Sequence, residues 1–412
     1  MKKMVFMAAF VAATAAFVAC SSNDDLVQQA PEVPEVKGTP FSISVGADTR
    51  ATLYNADAWG TTGENTKVTM LKLYGKQTDQ TTPWLNNVVF TRASTSTDWS
   101  ANRDAEHDAL GDEEKPTWPK TGNSIDSSVD TKFYAITDNA IGGGKTSVIS
   151  GVDDWMNPVG SFTYGLTSKT EDISWYNLVE YKFLPTSTTY VDPAELKDLM
   201  VSTTTTNESG ASNGKVELGF KHALSNLVIK AKFLSDGESN NHITATIKSI
   251  MVCGLNTEGT CTIGSTPTWS ALGTPMPYYK VLATPVTVTA IPENSDAQTI
   301  EDNTKNVIFP GEWLVIPQTP TSWDLSVCDT AYPSTAYISI EIHDSADNTD
   351  ANSSVLLTFP LNTTFNPGKN RIITIDIAQG RVIEEDYYID PKVDGEDGKA
   401  DLYYGPTTVV GA

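Results

Sequence analysis

The stretch "LVIKAKF", residues 227–233, sets Leu227, Ile229, Ala231 and Phe233 on one side of an extended chain and Lys230 and Lys232 on the other. Period two with one apolar face is the mark of a half-buried strand in an antiparallel sheet. The same reading applies to "FSISVGA" (41–47), where Phe41, Ile43 and Val45 share a face. In "YISIEIH" (337–343), Ile338, Ile340 and Ile342 point inward, with Ser339 and Glu341 outward. "RIITIDI" (371–377) aligns Ile373, Ile375 and Ile377. Further candidate strands are "TKVTMLKLYG" (66–75), "KFYAIT" (132–137), "TATIKSIMVCG" (244–254), "TPVTVTAI" (284–291) and "VLLTFPL" (355–361). Turn-forming clusters separate them, as in β-sandwiches. The expected fold class is all-β with helix a minor component.

One segment reads as helix. In "DPAELKDLM" (192–200), Asp192 is a candidate N-cap, Pro193 occupies the first helical position and Glu195 completes a capping box, which predicts about two turns. The polar, aperiodic "STTTTNESGASNG" (202–214) follows at once and predicts a domain boundary. With 412 residues, two domains are the natural division. The expected organisation is an N-terminal β domain over 41–205 and a C-terminal β domain with an acidic tail over 206–412.

Upstream of these domains, Met1-Lys2-Lys3 is a short basic head, followed by an apolar run from Met4 to Ala19 broken only by Thr14. The run is too short to span a bilayer, for which about 20 residues are needed, and reads as a secretory signal over 1–19. It ends in Phe17-Val18-Ala19-Cys20, which resembles a bacterial lipobox, so Cys20 is the expected lipidation site. Two acyl chains suffice for stable anchoring to the outer membrane. Ser21-Ser22-Asn23-Asp24-Asp25 resembles the acidic surface-export address of Bacteroidetes-type lipoproteins. Residues 20–40, with Pro31, Pro34 and Pro40, read as an extended tether.

The formal net charge is −23. Loss of Lys2 and Lys3 with the signal takes it to −25. No basic patch stands out, so nucleic acid is excluded as a partner. Of the four cysteines, Cys253 and Cys261 flank "GLNTEGT", which reads as a hairpin connection that would let them form a disulfide. Cys328 is left over, and the absence of C-x-x-C excludes a zinc ribbon.

Catalytic signals are missing. "GGGKTS" (142–147) has Asn139 where a phosphate loop needs its first glycine and reads as a flexible hairpin loop. His107, His222, His242 and His343 have no ligand-like spacing. "NTDANS" (348–353) lacks the glycine of a calcium loop and has Phe359 where the bidentate Glu belongs. "DPKVDGEDGKAD" (390–401) puts Asp390, Asp394, Gly395 and Asp401 at calcium-loop positions, but Lys392 replaces an oxygen ligand. No nucleophile motif occurs. The chain is expected to be no enzyme and to need neither metal nor cofactor.

"KVELGFKHALSNLVIKAKF" (215–233) resembles the opening of the C-terminal domain of the fimbrillin family, the Bacteroidetes-type pilins, through Phe220, His222, Ala223, Leu224, Ser225 and Leu227. "FPLNTTFNPGKNRIITIDI" (359–377) resembles the closing element of that domain, and "GEWLVIPQT" (311–319) one of its internal strands. In the N-terminal half the likeness rests on "ADTRAT" and "VTMLKLYG". The resemblance implies two tandem transthyretin-like β-sandwiches and assembly with other pilin subunits into fimbriae. It also implies export as a lipoprotein and cutting between Arg50 and Ala51, which would remove lipid, tether and first strand together. A strand from another subunit would then fill the opened groove. The C-terminal "ADLYYGPTTVVGA" (400–412) is interrupted by Pro406 as a donor strand. The alternative is a lipid-anchored adhesin with a host or glycan receptor, using Trp84, Trp99, Trp118, Trp155 and Trp175 as stacking faces.

Overall fold

The computed structural model describes residues 39, 41–46, 70–77, 80, 82–92, 99–102, 116–119, 126–137, 144–146, 150–152, 159–170, 189–196, 198–211, 214–235, 244–292, 294–306, 313–321, 335–344, 354–377, 381–389, 402–404 and 408–410. They build an all-β, sandwich-like fold of several sheets. The alternation in Lys215–His222 is complete: Val216, Leu218 and Phe220 are buried, and the residues between them are not. Leu227, Ile229 and Ala231 are buried in Ser225–Lys232, with Lys230 and Lys232 half-buried on the other side. Two strands differ from the expected polar-out pattern. Ser339 is buried, hydrogen-bonded to the Thr358 hydroxyl at 2.8 Å. Thr374 and Asp376, on either side of Ile375, are buried as well, so Asn370–Asp376 carries buried residues on both faces.

A seven-stranded sheet runs Ser42–Gly46, Lys215–His222, Met200–Thr206, Thr131–Thr137, Met70–Gln77, Leu85–Thr91, Ser100–Asn102. Its two faces feed two cores. Leu71, Leu73, Phe133, Ala135, Val216, Leu218 and Phe220 face a smaller core. Tyr74, Tyr134, Ile136 and Val201 face a larger one, shared with Leu227, Ile229, Ile250, Ile338, Ile373 and Ile375 from the second half of the chain.

The stretch 202–214, expected as a domain boundary, falls within the run of that one sheet. That polar stretch joins Met200–Thr206 to Lys215–His222, two paired strands of one sheet, and so is a hairpin connection. The chain changes sheets later, at Ala223-Leu224, between Lys215–His222 and Ser225–Lys232. Both residues of this switch are fully buried. The Ala223 N–H donates to the Leu199 carbonyl at 2.8 Å, and Trp269 Nε1–H donates to the Ala223 carbonyl at 2.8 Å. His222 Nδ1 is hydrogen-bonded to the Asp198 carboxylate. Opposite lies the turn of "NPGK": Gly368, at φ +65°, donates its N–H to the Leu224 carbonyl at 2.8 Å. Ser225 Oγ–H donates to the Lys369 carbonyl at 3.0 Å. His222 and Ser225 thus shape the switch. The halves are further tied by a sheet in which Val159–Leu166 pairs with Glu258–Ile263 over six residues.

Pairing is not uniformly antiparallel. Ser42–Gly46 runs parallel to Lys215–His222, and Ser225–Lys232 runs parallel to Asn370–Asp376. Side-chain period is two in either orientation, so alternation alone does not distinguish them.

The expected bridge between Cys253 and Cys261 is not formed; both are buried free thiols. Their strands do not make a hairpin. Cys253 lies opposite Tyr337, whereas Cys261 lies opposite Phe162 and Trp269 in another sheet. Burial pushes each thiol up to about 12.

The expected helix over 192–200 is shorter than two turns. Asp192 does cap it, accepting from the Ala194 N–H at 3.0 Å, but only the 3-10 turn Pro193–Glu195 forms. Leu196 is already extended, and Leu196, Leu199 and Met200 are all buried as the chain enters its strand. Asp192 also accepts from Lys280 Nζ at 3.0 Å and Lys169 Nζ at 3.2 Å. Burial alone would raise its carboxyl. Lys280, the Ala194 N–H and Lys169 outweigh that and hold it below its ordinary value of 3.8. A carboxyl depressed on folding stabilises above its unfolded value, and the contribution is lost as pH falls through the folded one. Asp192→Asn should therefore lower stability at neutral pH and flatten its decline below about pH 4. Urea midpoints of both proteins at neutral and acid pH test this; parallel pH profiles would exclude it.

Candidate functional site

Phe41 and the strand Ser42–Gly46 that follows it form one edge of the seven-stranded sheet. The strand pairs with Lys215–His222 alone among the described strands, in register from Ser42 opposite Lys215 to Gly46 opposite Gly219. Phe41 and Ile43 are buried in the smaller core, and Val45 packs against it partly covered.

Phe41 sits in a box of aromatic rings. Centroids lie 5.2 Å away for Trp84, 5.3 Å for Trp118, 5.7 Å for Phe133 and 6.2 Å for Phe90. The walls brace one another, with Trp84 5.8 Å from Trp118 and Trp118 6.1 Å from Phe133. Two backbone bonds clip the beginning of the strand. The Phe41 N–H donates to the Pro116 carbonyl at 3.0 Å, and the Trp118 N–H donates to the Thr39 carbonyl at 2.8 Å. Trp118 Nε1–H reaches the Gly214 carbonyl at 3.3 Å, tying the box to the 207–214 connection.

Three other edge strands carry features that discourage a new strand. Tyr278–Thr289 has a register break against its neighbour and contains Lys280 and Pro285. Ser100–Asn102 and Thr268–Ser270 are three residues long. Bulges, prolines, lysines and short length all blunt strand edges. Ser42–Gly46 has no register break and no charged or proline residue.

Cys20, Arg50 and Ala51 lie outside the described residues, as do Cys328, Trp155, Trp175 and the 390–401 loop. Arg50 stands four positions after Gly46 in sequence. Cys253 and Cys261 belong to the larger core and take no part in this site. The aromatic box was not legible beforehand. Trp84, Trp99 and Trp118 suggested stacking faces, but Trp99 and Trp118 are buried and Trp84 packs partly covered against the same core. Among the described residues, no cluster of His, Cys, Asp or Glu could hold a metal ion.

A model of fimbrillin-like proteins matches residues 176–391. This chain belongs to the fimbrillin-like family. The match includes Lys215–His222, the sole strand partner of Ser42–Gly46 among the described residues, together with the sheet switch and the "NPGK" turn. Membership makes this chain a fimbrial-type protein of the cell surface. Among solved structures, a fimbrial protein from Bacteroides vulgatus is 14% identical with a TM-score of 0.45, over 84% of this chain and 98% of that one. A Bacteroides ovatus protein provisionally assigned to cell adhesion is 10% identical with a TM-score of 0.39, over 90% and 97%. A fimbrial assembly protein from Parabacteroides distasonis is 10% identical with a TM-score of 0.31, over 83% and 93%. No curated protein matches the chain.

Proposed function

We propose that this fimbrillin-like protein is a structural subunit of surface fimbriae, made as a precursor lipidated at Cys20 and assembled by strand exchange after cutting between Arg50 and Ala51. The observation that carries the reading is the edge strand Ser42–Gly46. It follows the buried Phe41, buries Ile43, pairs with one strand among the described residues and is followed in sequence by Arg50. Cutting there would leave that strand held by non-covalent contacts only. Its departure would expose an apolar groove beside the backbone edge of Lys215–His222, and an extended segment from another subunit supplies both missing components. The buried side chains are worth about 1.5–3 kcal/mol each, so an empty groove destabilises the subunit until it is refilled. The non-polymerising adhesin reading drew on indoles of the N-terminal half; the covered positions of Trp84, Trp99 and Trp118 weaken it.

N-terminal mass spectrometry of protein from the native surface tests the proposal. Fibre material should begin at Ala51, and Arg50→Ala should leave the protein uncut and outside the fibre. Cys20→Ala should abolish acyl labelling of the precursor. Fibres whose subunits retain residues 41–46 would overturn strand exchange.

A further inference from the structure

We infer that the groove selects its incoming strand by an aromatic anchor. The partner is an extended segment of a different subunit, parallel to Lys215–His222, with an aromatic side chain at the Phe41 position and β-branched aliphatic side chains two and four residues later. The inference rests on the proposed strand exchange and specifies the partner that exchange requires.

The occupant now in place defines the requirement. Phe41 meets rings on several sides, stacked on Phe133 at an interplanar angle of 23° and edge-on to Trp84 at 89°. Offset stacking and edge-to-face contact are the arrangements aromatic pairs prefer. An aliphatic or small residue would leave a gap between walls that support one another and cannot readily close. Ile43 and Val45 lie opposite Val216 and Leu218 on the same strand pair, where branched side chains suit a pleated, covered surface. Ser42 and Ser44, on the alternate positions, are half-buried and make no demand for apolar groups. A slip of one residue would place serines over the apolar core, so the box also sets register. The bond from the Phe41 N–H to the Pro116 carbonyl excludes proline at the anchor position.

The C-terminal strands of this chain do not meet the specification. In Leu402–Tyr404 and Thr408–Val410, neither Tyr403 nor Tyr404 is followed by aliphatic residues at both the second and fourth positions, and Gly405 and Pro406 stand between the strands. Residues 402–410 of a second copy are therefore a poor occupant.

The test uses the full chain nicked by an Arg-specific protease between Gly46 and Met70, with a urea pulse to release the first strand. A fluorescent peptide of residues 39–46, its Phe41→Ala and Phe41→Tyr versions, and a peptide of residues 402–410 are then offered on dilution from urea. The native and Tyr peptides should bind within threefold of each other. The Ala and 402–410 peptides should each bind more than fivefold more weakly than the native one. A loss of fivefold or less for either, or a loss above threefold for the Tyr peptide, overturns the aromatic anchor. If no peptide binds while the nicked protein still joins subunits of the same surface, the anchor fails and strand exchange stands. If it neither binds peptide nor joins other subunits, both fail.

Discussion

Phe41→Ala should destabilise the protein by about 3–5 kcal/mol, the usual cost of truncating a buried phenylalanine. Phe41 is only 6% exposed. The cost depends on how far the surroundings collapse into the space left behind, and here collapse is resisted. Trp84, Trp118 and Phe133 touch one another as well as Phe41, and Trp118 is held in addition through its backbone and its indole N–H. The strand itself has one sheet neighbour among the described residues, so weakening its anchor also loosens the five register pairs that follow. Urea unfolding followed by tryptophan fluorescence is a direct readout, since two indoles of the N-terminal half line the box. Val45→Ala, at a partly covered position of the same face, should cost less. A loss below about 1 kcal/mol for Phe41→Ala would mean that the edge strand contributes little to holding the fold.

Gly254→Ala should be of similar size, about 3–5 kcal/mol, which is exceptional for the addition of one methyl group. Gly254 follows Cys253 at the end of Thr244–Cys253, where the chain leaves the four-stranded sheet for Glu258–Ile263 in another. Its φ is +74°, in the left-handed region that glycine enters without steric penalty. A Cβ there would overlap the Thr335 carbonyl. That backbone cannot easily retreat, because the Ala336 N–H donates to the Thr321 carbonyl at 2.6 Å and the Ala336 carbonyl accepts from Leu361 at 2.9 Å. Two glycines separate the contributions. Gly214 has φ +75° with nothing near its would-be Cβ, so Gly214→Ala isolates the conformational cost of about 1 kcal/mol. Gly219 has ordinary backbone and open space, so Gly219→Ala should be neutral or slightly stabilising. Equal thermal shifts for the three substitutions would rule out the close approach to Thr335 as the cause.

Strand identity and the inward face of each strand were legible because they are local. Side chains alternate residue by residue, and one apolar face is the trace of one core. The reading held for Phe41 and Ile43, for Val216 to Phe220 and for Leu227 to Ala231. It was incomplete where residues of the other face are buried too, as at Ser339 and Asp376. Local signals also left the helices uneven. Asp192 capped only a single 3-10 turn because buried strand residues follow directly, while Ala297–Asn303 has one large apolar residue, Ile300, and lacked the periodicity that marks a helix. It is capped by Asp296, which accepts from the Thr299 N–H at 2.8 Å.

Pairing partner, direction and sheet membership belong to the tertiary structure. The parallel contact of Ser42–Gly46 with Lys215–His222 joins residues 173 positions apart (Ser42 to Lys215), and nothing within either strand encodes that choice. The same holds for the polar 207–214 connection, which is polar whether it divides domains or turns within one sheet, and for Cys253 and Cys261, whose close spacing suggested a hairpin that divergent pairing abolishes. The sequence by itself determined the all-β class, the apolar face of the first strand and the fimbrillin resemblance. Which strand it lies beside, and the aromatic box that Trp84, Phe90, Trp118 and Phe133 form around Phe41, arose only when distant segments packed together, because packing depends on non-local contacts that side-chain alternation does not record.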